Sequence, residues 1–230
     1  MAPIRLEMLS GSVLVFDDPA PLIRLFVGPD GTDGYDDWAR RSPRDHLVAE
    51  DVTVLNTYAR ARSGHVHWQA LLADRAPAWL ADIDPRWDAA TTSESTWKRA
   101  GIEQKVGVAF EAMCGPHRGL SVVSKMLHLK RPRLIPLLDA LVVEQLGLGV
   151  ASRATPNVKA GYAARIIAHL AAQARANHVA LADIQRELQA EGIALSAIRL
   201  IDILVWSSHP AASLRAPIER HIRVVPDPPR

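Results

Sequence analysis

The chain has 230 residues, with 27 lysines and arginines against 25 aspartates and glutamates and a hydrophobic fraction of 48%. That length suits one large domain or two small ones, and the balance is globular, not disordered. The single cysteine, Cys114, excludes an intrachain disulfide and any cysteine-ligated zinc or iron–sulfur cluster built by one chain. No apolar run reaches the roughly 18 residues of a membrane span, and MAPIRLEMLS lacks a signal-peptide core, so a cytoplasmic protein with no membrane partner is expected.

The first 35 residues read as an extended or β element. Val13–Phe16 and Leu22–Val27 are short apolar runs separated by Asp17-Asp18-Pro19, and Gly28-Pro29-Asp30-Gly31 makes a turn after them. From Ser42 the period becomes helical. Ser42-Pro43 predicts a capped start, with Leu47, Val52, Leu55 and Tyr58 along one face. A further helix is predicted over Val66–Ala73. Pro77 and Pro85 then break the chain into short pieces.

Ile102, Val106, Phe110 and Met113 recur at helical spacing and predict a helix ending near Gly115-Pro116. Helices are predicted next over Leu120–Leu129, from Asp139 to about Gly147, and from Thr155-Pro156 through Ala176. Two more cover Leu181–Glu191 and Ser196–Trp206, and Pro217, Pro226, Pro228 and Pro229 mark residues 207–230 as an irregular tail. The expected fold is mainly α, a single domain over residues 1–230. It would have a helix–hairpin–helix-like centre at 102–148 and a small extended element at the N-terminus.

Charge is distributed unevenly. Residues 1–111 carry 12 basic and 17 acidic side chains, a net of −5, whereas 112–182 carry 9 basic and 2 acidic, a net of +7. No acid separates Glu111 from Asp139, a stretch holding Arg118, Lys125, Lys130, Arg131 and Arg133. Such a cluster is either an electrostatic footprint for phosphate or a face balanced by the acidic first half.

Gln104 to Leu148 reads as a helix, a tight Gly-Pro-His-Arg-Gly turn, a helix, a proline-flanked link, then Pro136-Leu137-Leu138-Asp139 opening another helix. This resembles the helix–hairpin–helix module of base-excision DNA glycosylases followed by their catalytic-aspartate loop, and PLLDALVVEQL is similar to that loop in adenine-removing members. The resemblance implies a DNA or other nucleic-acid partner, no metal and no cofactor. It puts Asp139 in the catalytic position, with Arg118, Gly119, Ser121, Lys125, Lys130, Arg131 and Arg133 as candidate nucleic-acid contacts. Glycines would let the backbone approach phosphate, and amides at the following helix start would receive it. The aspartate would stabilise an oxocarbenium-like sugar as the base departs. The second hairpin glycine is replaced by Ser121, and Val123 stands where bifunctional members carry a Schiff-base lysine, so base release without strand cleavage is the implied chemistry. Lys125 falls two positions on, roughly half a helical turn away.

SKMLHLKRPRLIPLLD (Ser124–Asp139), HLVAEDVTVLNTYAR (His46–Arg60) and LSAIRLIDILVW (Leu195–Trp206) also resemble segments of a family of uncharacterised bacterial proteins known only as a domain of unknown function. That family carries no established activity. Aspartate is a preferred N-cap, so capping alone also explains Asp139. Three readings stand: a glycosylase-like protein, a non-catalytic nucleic-acid module, and a structural or interaction protein. A cleft holding Asp139 with an aromatic wall favours the first, an open basic face the second, and a buried Asp139 bonded only to backbone the third. His65 and His67, two apart, suit no metal site on one helical face. Ser207-Ser208-His209 gives no triad by adjacency. The six tryptophans and Cys114 read as core and its edges.

Overall fold

A computed structural model describes residues 2–28, 34–61, 63–148, 156–212 and 222–225. Strands β1 (Ile4–Glu7) and β2 (Val13–Phe16) pair antiparallel, with Ile4 opposite Phe16. Ile4 and Leu6 point into the core while Arg5 and Glu7 face out, the alternation that a sheet with one buried face requires. The free edge of β2 takes β3 (Ile222–Val225), so within the predicted irregular tail residues 222–225 form a strand, and Ser207 and Ser208 belong to the preceding helix. The other tail prolines, the turn at Pro29–Gly31 and the Thr155 cap lie outside the described residues.

Twelve α-helices are described: α1 (Ala20–Val27), α2 (Gly34–Arg41), α3 (Ala49–Thr57), α4 (Gln69–Ala73), α5 (Ala78–Ala81), α6 (Glu94–Arg99), α7 (Ile102–Met113), α8 (Leu120–Lys130), α9 (Ala140–Gln145), α10 (Pro156–Ala176), α11 (His178–Ala190) and α12 (Ala197–Ser208). Three expectations for this part of the chain are corrected. Leu22–Val27 is helix, not strand: Pro21 opens the first turn, and Leu22, Ile23 and Phe26 lie on one helical face. Ser42-Pro43 does not start a helix but follows α2. Ser42 is buried there and donates to Asp51, whose other oxygen accepts the Val48 amide at the start of α3. Val66–Ala73 divides into a 3-10 turn (His65–His67) and α4.

The most extensive helix contact is between α7 and α10. Ile102, Val106, Phe110 and Met113 form the apolar stripe of α7, and small residues let α10 approach it: a Cβ on Gly107 would lie 3.8 Å from that of Ala164. Helix α12 is buried on every side from Ala197 to Val205, with α1, α9, α10 and α11 around it. A helix apolar all round belongs at the centre of a domain. Arg199 and Asp202 are therefore charges inside a core helix. Among the described residues, no helix is long and apolar enough to cross a membrane.

Candidate functional site

Asp139 caps α9, its Oδ1 accepting the Val142 amide at 3.0 Å. The loop before it is held from two sides. Leu137 N–H donates to Asp202 Oδ2 on α12 at 2.9 Å, and Leu138 N–H donates to Ser124 Oγ on α8 at 2.9 Å. Two successive amides are thus tied to buried side chains of different helices, which fixes where the Asp139 side chain begins.

Asp139 lies on the wall common to two clefts. The first, about 270 Å³, is chiefly apolar, with Leu120, Val122, Val143 and Tyr162 around Gly119 and Ser121 and with Lys159 at its side. The second, about 450 Å³, has aromatic walls from Phe26, Tyr35, Tyr58 and Trp206 and a charged floor of Lys125, Arg199 and Asp202. Gly34 positions Tyr58: a Cβ there would come within 2.5 Å of the phenol ring. Beside Tyr58, Arg60 adopts a left-handed φ of +50° as α3 ends, and the Ala61 amide returns to Leu55 O at 3.3 Å. That helix-ending turn usually takes glycine. Here it puts an arginine at the cleft.

The floor is an ion cluster. Arg199 Nε donates to both oxygens of Asp36 (3.2 and 3.1 Å) and its Nη1 donates to Asp202 Oδ1 at 2.6 Å. His128 donates through Nδ1 to Ile135 O at 2.5 Å, directing Nε2 toward Asp36 Oδ1 at 3.6 Å, and its ring stacks on Tyr35. Burial pushes the Asp202 carboxyl up to about 6, against the opposing pull of Arg199, His128 and the Leu137 amide. At Asp36 the same burial is outweighed by Arg199 and His128, which hold that carboxyl below its ordinary value. Lys125 donates to Ala59 O at 2.9 Å, and burial lowers its ammonium despite the nearby Asp139 and Asp202.

Comparison with protein-family models matches residues 29–209 to a family of unknown function, DUF6308. The chain belongs to DUF6308. Neither the curated proteins nor the solved structures give a match.

In this DUF6308 chain the predicted site residues separate into two groups. Gly119, Ser121, Lys125 and Asp139 come together around the two clefts. The others do not join them. Arg118 closes its own hairpin: its amide and carbonyl pair with Gly115, and its guanidinium donates to Met113 O at 2.7 Å and to His67 O. Lys130 and Arg131, named among the candidate nucleic-acid contacts, are not displayed by the proline-flanked link. Lys130 is fully buried, donating to Ser42 Oγ (2.7 Å) and Pro43 O (3.1 Å) and paired with Asp51. Arg131 reaches the carbonyls of Ile83, Arg44, Lys130 and Leu80 at 2.5–2.9 Å, and burial lowers it to about 10. Both cations face inward because the end of α8 packs among segments whose backbone carbonyls converge on it, and buried carbonyls need donors. Arg133 alone stays exposed, paired with Asp88 in a different groove.

The residues that sequence reasoning passed over are Arg199 and Asp202. Their signal was legible: two opposite charges three apart inside LSAIRLIDILVW, an otherwise apolar helix. Tyr35, Tyr58 and Phe26 carried no such mark, because only the packing of α1, α2 and α3 brings them to one cleft.

Proposed function

We propose that this DUF6308 protein takes a nucleotide of a nucleic acid into the paired clefts and opens its N-glycosidic bond beside Asp139. The observation carrying this reading is that Asp139 stands where an apolar cleft meets an aromatic, cation-bearing one, with its Oδ2 unbonded among the described residues. The apolar cleft suits the faces of a base, and the second cleft, with Lys125 and Arg60, suits sugar and phosphate. The C1′–N bond breaks with its electron pair leaving on the base, which takes up a proton. Water adds its oxygen to C1′ and gives a proton to Asp139, which first stabilises the developing positive charge and then returns that proton to solvent, the source of the one the base takes up. The hairpin before Gly119 serves as the helix–hairpin–helix element of this reading, through the backbone amides that open α8 and not through the link cations.

The cap bond from Val142 to Asp139 favours one other reading, an interaction module in which Asp139 only ends a loop. Asp139→Asn separates the two, because it keeps size and most capping ability but removes the charge. Parent and variant are incubated with damaged and mismatched duplexes and single strands, and abasic sites are assayed with and without alkali. The enzyme reading expects base release by the parent, an intact abasic strand before alkali, and loss of release in a variant of unchanged stability. No release by the parent from any substrate refutes it. Cleavage before alkali refutes the monofunctional chemistry and points to an amine such as Lys125.

A further inference from the structure

A third cavity, about 930 Å³, shares the buried ion cluster with the Asp139 site: Asp36 and His128 line it, whereas Arg199 and Asp202 line the other. Four arginines reach it from separate places, Arg40 on α2, Arg44 on the segment before α3, Arg133 on the link after α8, and Arg186 on α11. Its two lining carboxylates, Asp36 and Asp88, are already paired. Both Asp36 oxygens face Arg199, Asp88 Oδ1 accepts the Ala90 and Thr91 amides, and Asp88 Oδ2 accepts Arg133 Nε at 2.8 Å.

The donors are only partly so. Arg133 pairs with Asp88 through Nε and Arg186 with Asp183 through Nη2, but among the described residues both terminal nitrogens of Arg133 and the Nε and Nη1 of Arg186 have no partner, and these side chains are 58% and 74% exposed. Arg40 is held by Ala194 O at 2.9 Å and by an ion pair with Asp37, and Arg44 by Leu129 O at 2.9 Å, so part of the donor array is preorganised. A pocket with surplus guanidinium donors and satisfied carboxylates selects an anion carrying several oxygens close together. Its volume is larger than a single small oxyanion requires.

We infer that this arginine-lined cavity is a binding site for clustered phosphates, either a free polyphosphate or successive phosphodiesters of a nucleic-acid strand, and that it is distinct from the Asp139 cleft. The site does not depend on any reaction at Asp139. Binding of tripolyphosphate, of a phosphodiester oligonucleotide and of poly-glutamate is measured by calorimetry on the full chain. The variants are Arg133→Ala/Arg186→Ala, Asp139→Asn, and Arg86→Ala as a control, since Arg86 is an exposed arginine paired with Asp84 outside this cavity.

Tripolyphosphate binding is expected, weakened at least tenfold in the double variant and unchanged in the other two. Oligonucleotide binding that tripolyphosphate displaces assigns the strand as a source, and tripolyphosphate binding alone assigns a free ligand. In the strand case, the slope of log affinity against log salt should flatten by about 1.4, roughly 0.7 for each phosphate no longer neutralised by an arginine. The inference is overturned if neither phosphate ligand binds, if the double variant binds as the parent does, if Arg86→Ala weakens binding as much, or if only poly-glutamate binds. Thermal melts that coincide with the parent's show that the exposed double variant is folded.

Discussion

Asp51 and Lys130 offer the sharpest perturbation of this fold. Both are fully buried, and the Asp51 carboxylate accepts from Trp38 Nε1 (2.8 Å), Ser42 Oγ (2.7 Å), the Val48 amide (2.8 Å) and Lys130. Asp51→Ala leaves the buried Lys130 ammonium without its counter-charge and takes the carboxylate acceptor from three further donors. Breaking a buried pair from one side costs about 3–5 kcal/mol. A chain of this size shifts its melting point by about 2–4 °C per kcal/mol, so a fall of roughly 6–20 °C is expected. Lys130→Met should cost less, because the carboxylate keeps its other three donors and the methylene stem stays packed. The double variant Asp51→Asn/Lys130→Met should recover stability relative to Asp51→Ala, since it holds neither charge. Urea unfolding at constant m-value measures all three. The reasoning is refuted if Asp51→Ala costs under about 1 kcal/mol, or if Lys130→Met leaves stability intact while weakening nucleic-acid binding. The second result would mean that Lys130 faces solvent and phosphate after all.

Arg131→Lys removes the fork that reaches four backbone carbonyls, and leaving two unmet should cost about 2–4 kcal/mol in urea unfolding; a cost below about 1 kcal/mol would show that water reaches them. Asp202 titrates near 6 in the fold against an ordinary carboxylate near 4, so its contribution is favourable at low pH and is lost as pH rises from about 4 through 6. Asp202→Asn should therefore be better tolerated at pH 8 than at pH 4, by up to about 3 kcal/mol, and equal destabilisation at both would count against the shift. Asp36 works oppositely: its stabilisation is present at neutral pH and is lost as pH falls through its lowered value, which chemical unfolding of Asp36→Asn across acid pH would reveal. Ser124→Ala frees the Leu138 amide and should cost about 1–3 kcal/mol. The same change should loosen the Asp139 loop, seen as faster hydrogen exchange at Leu138 and Asp139; unchanged exchange there would refute that anchoring role.

The helices from Ile102 onward were determined by the sequence itself, because their apolar stripes, N-caps and breakers are local. Ser196 accepts the Arg199 amide as an N-cap, and Asp139 accepts that of Val142, each readable from a short polar residue before an apolar run. Leu22–Val27 was not readable this way: six mostly apolar residues carry no decisive period, and burial beside α11 and α12 chose helix. The second partner of β2, the strand β3, lies more than 200 residues away, a pairing that local pattern does not encode. Asp139 was marked by its loop, and the tertiary structure supplied the two clefts that meet there. Lys130 and Arg131 had the composition of an exposed basic link but became interior residues. A side chain's charge is written in the sequence, whereas its access to water depends on which carbonyls and carboxylates distant segments place around it. Here α3 brought Asp51 to Lys130, and Arg44, Leu80 and Ile83 brought their carbonyls to Arg131.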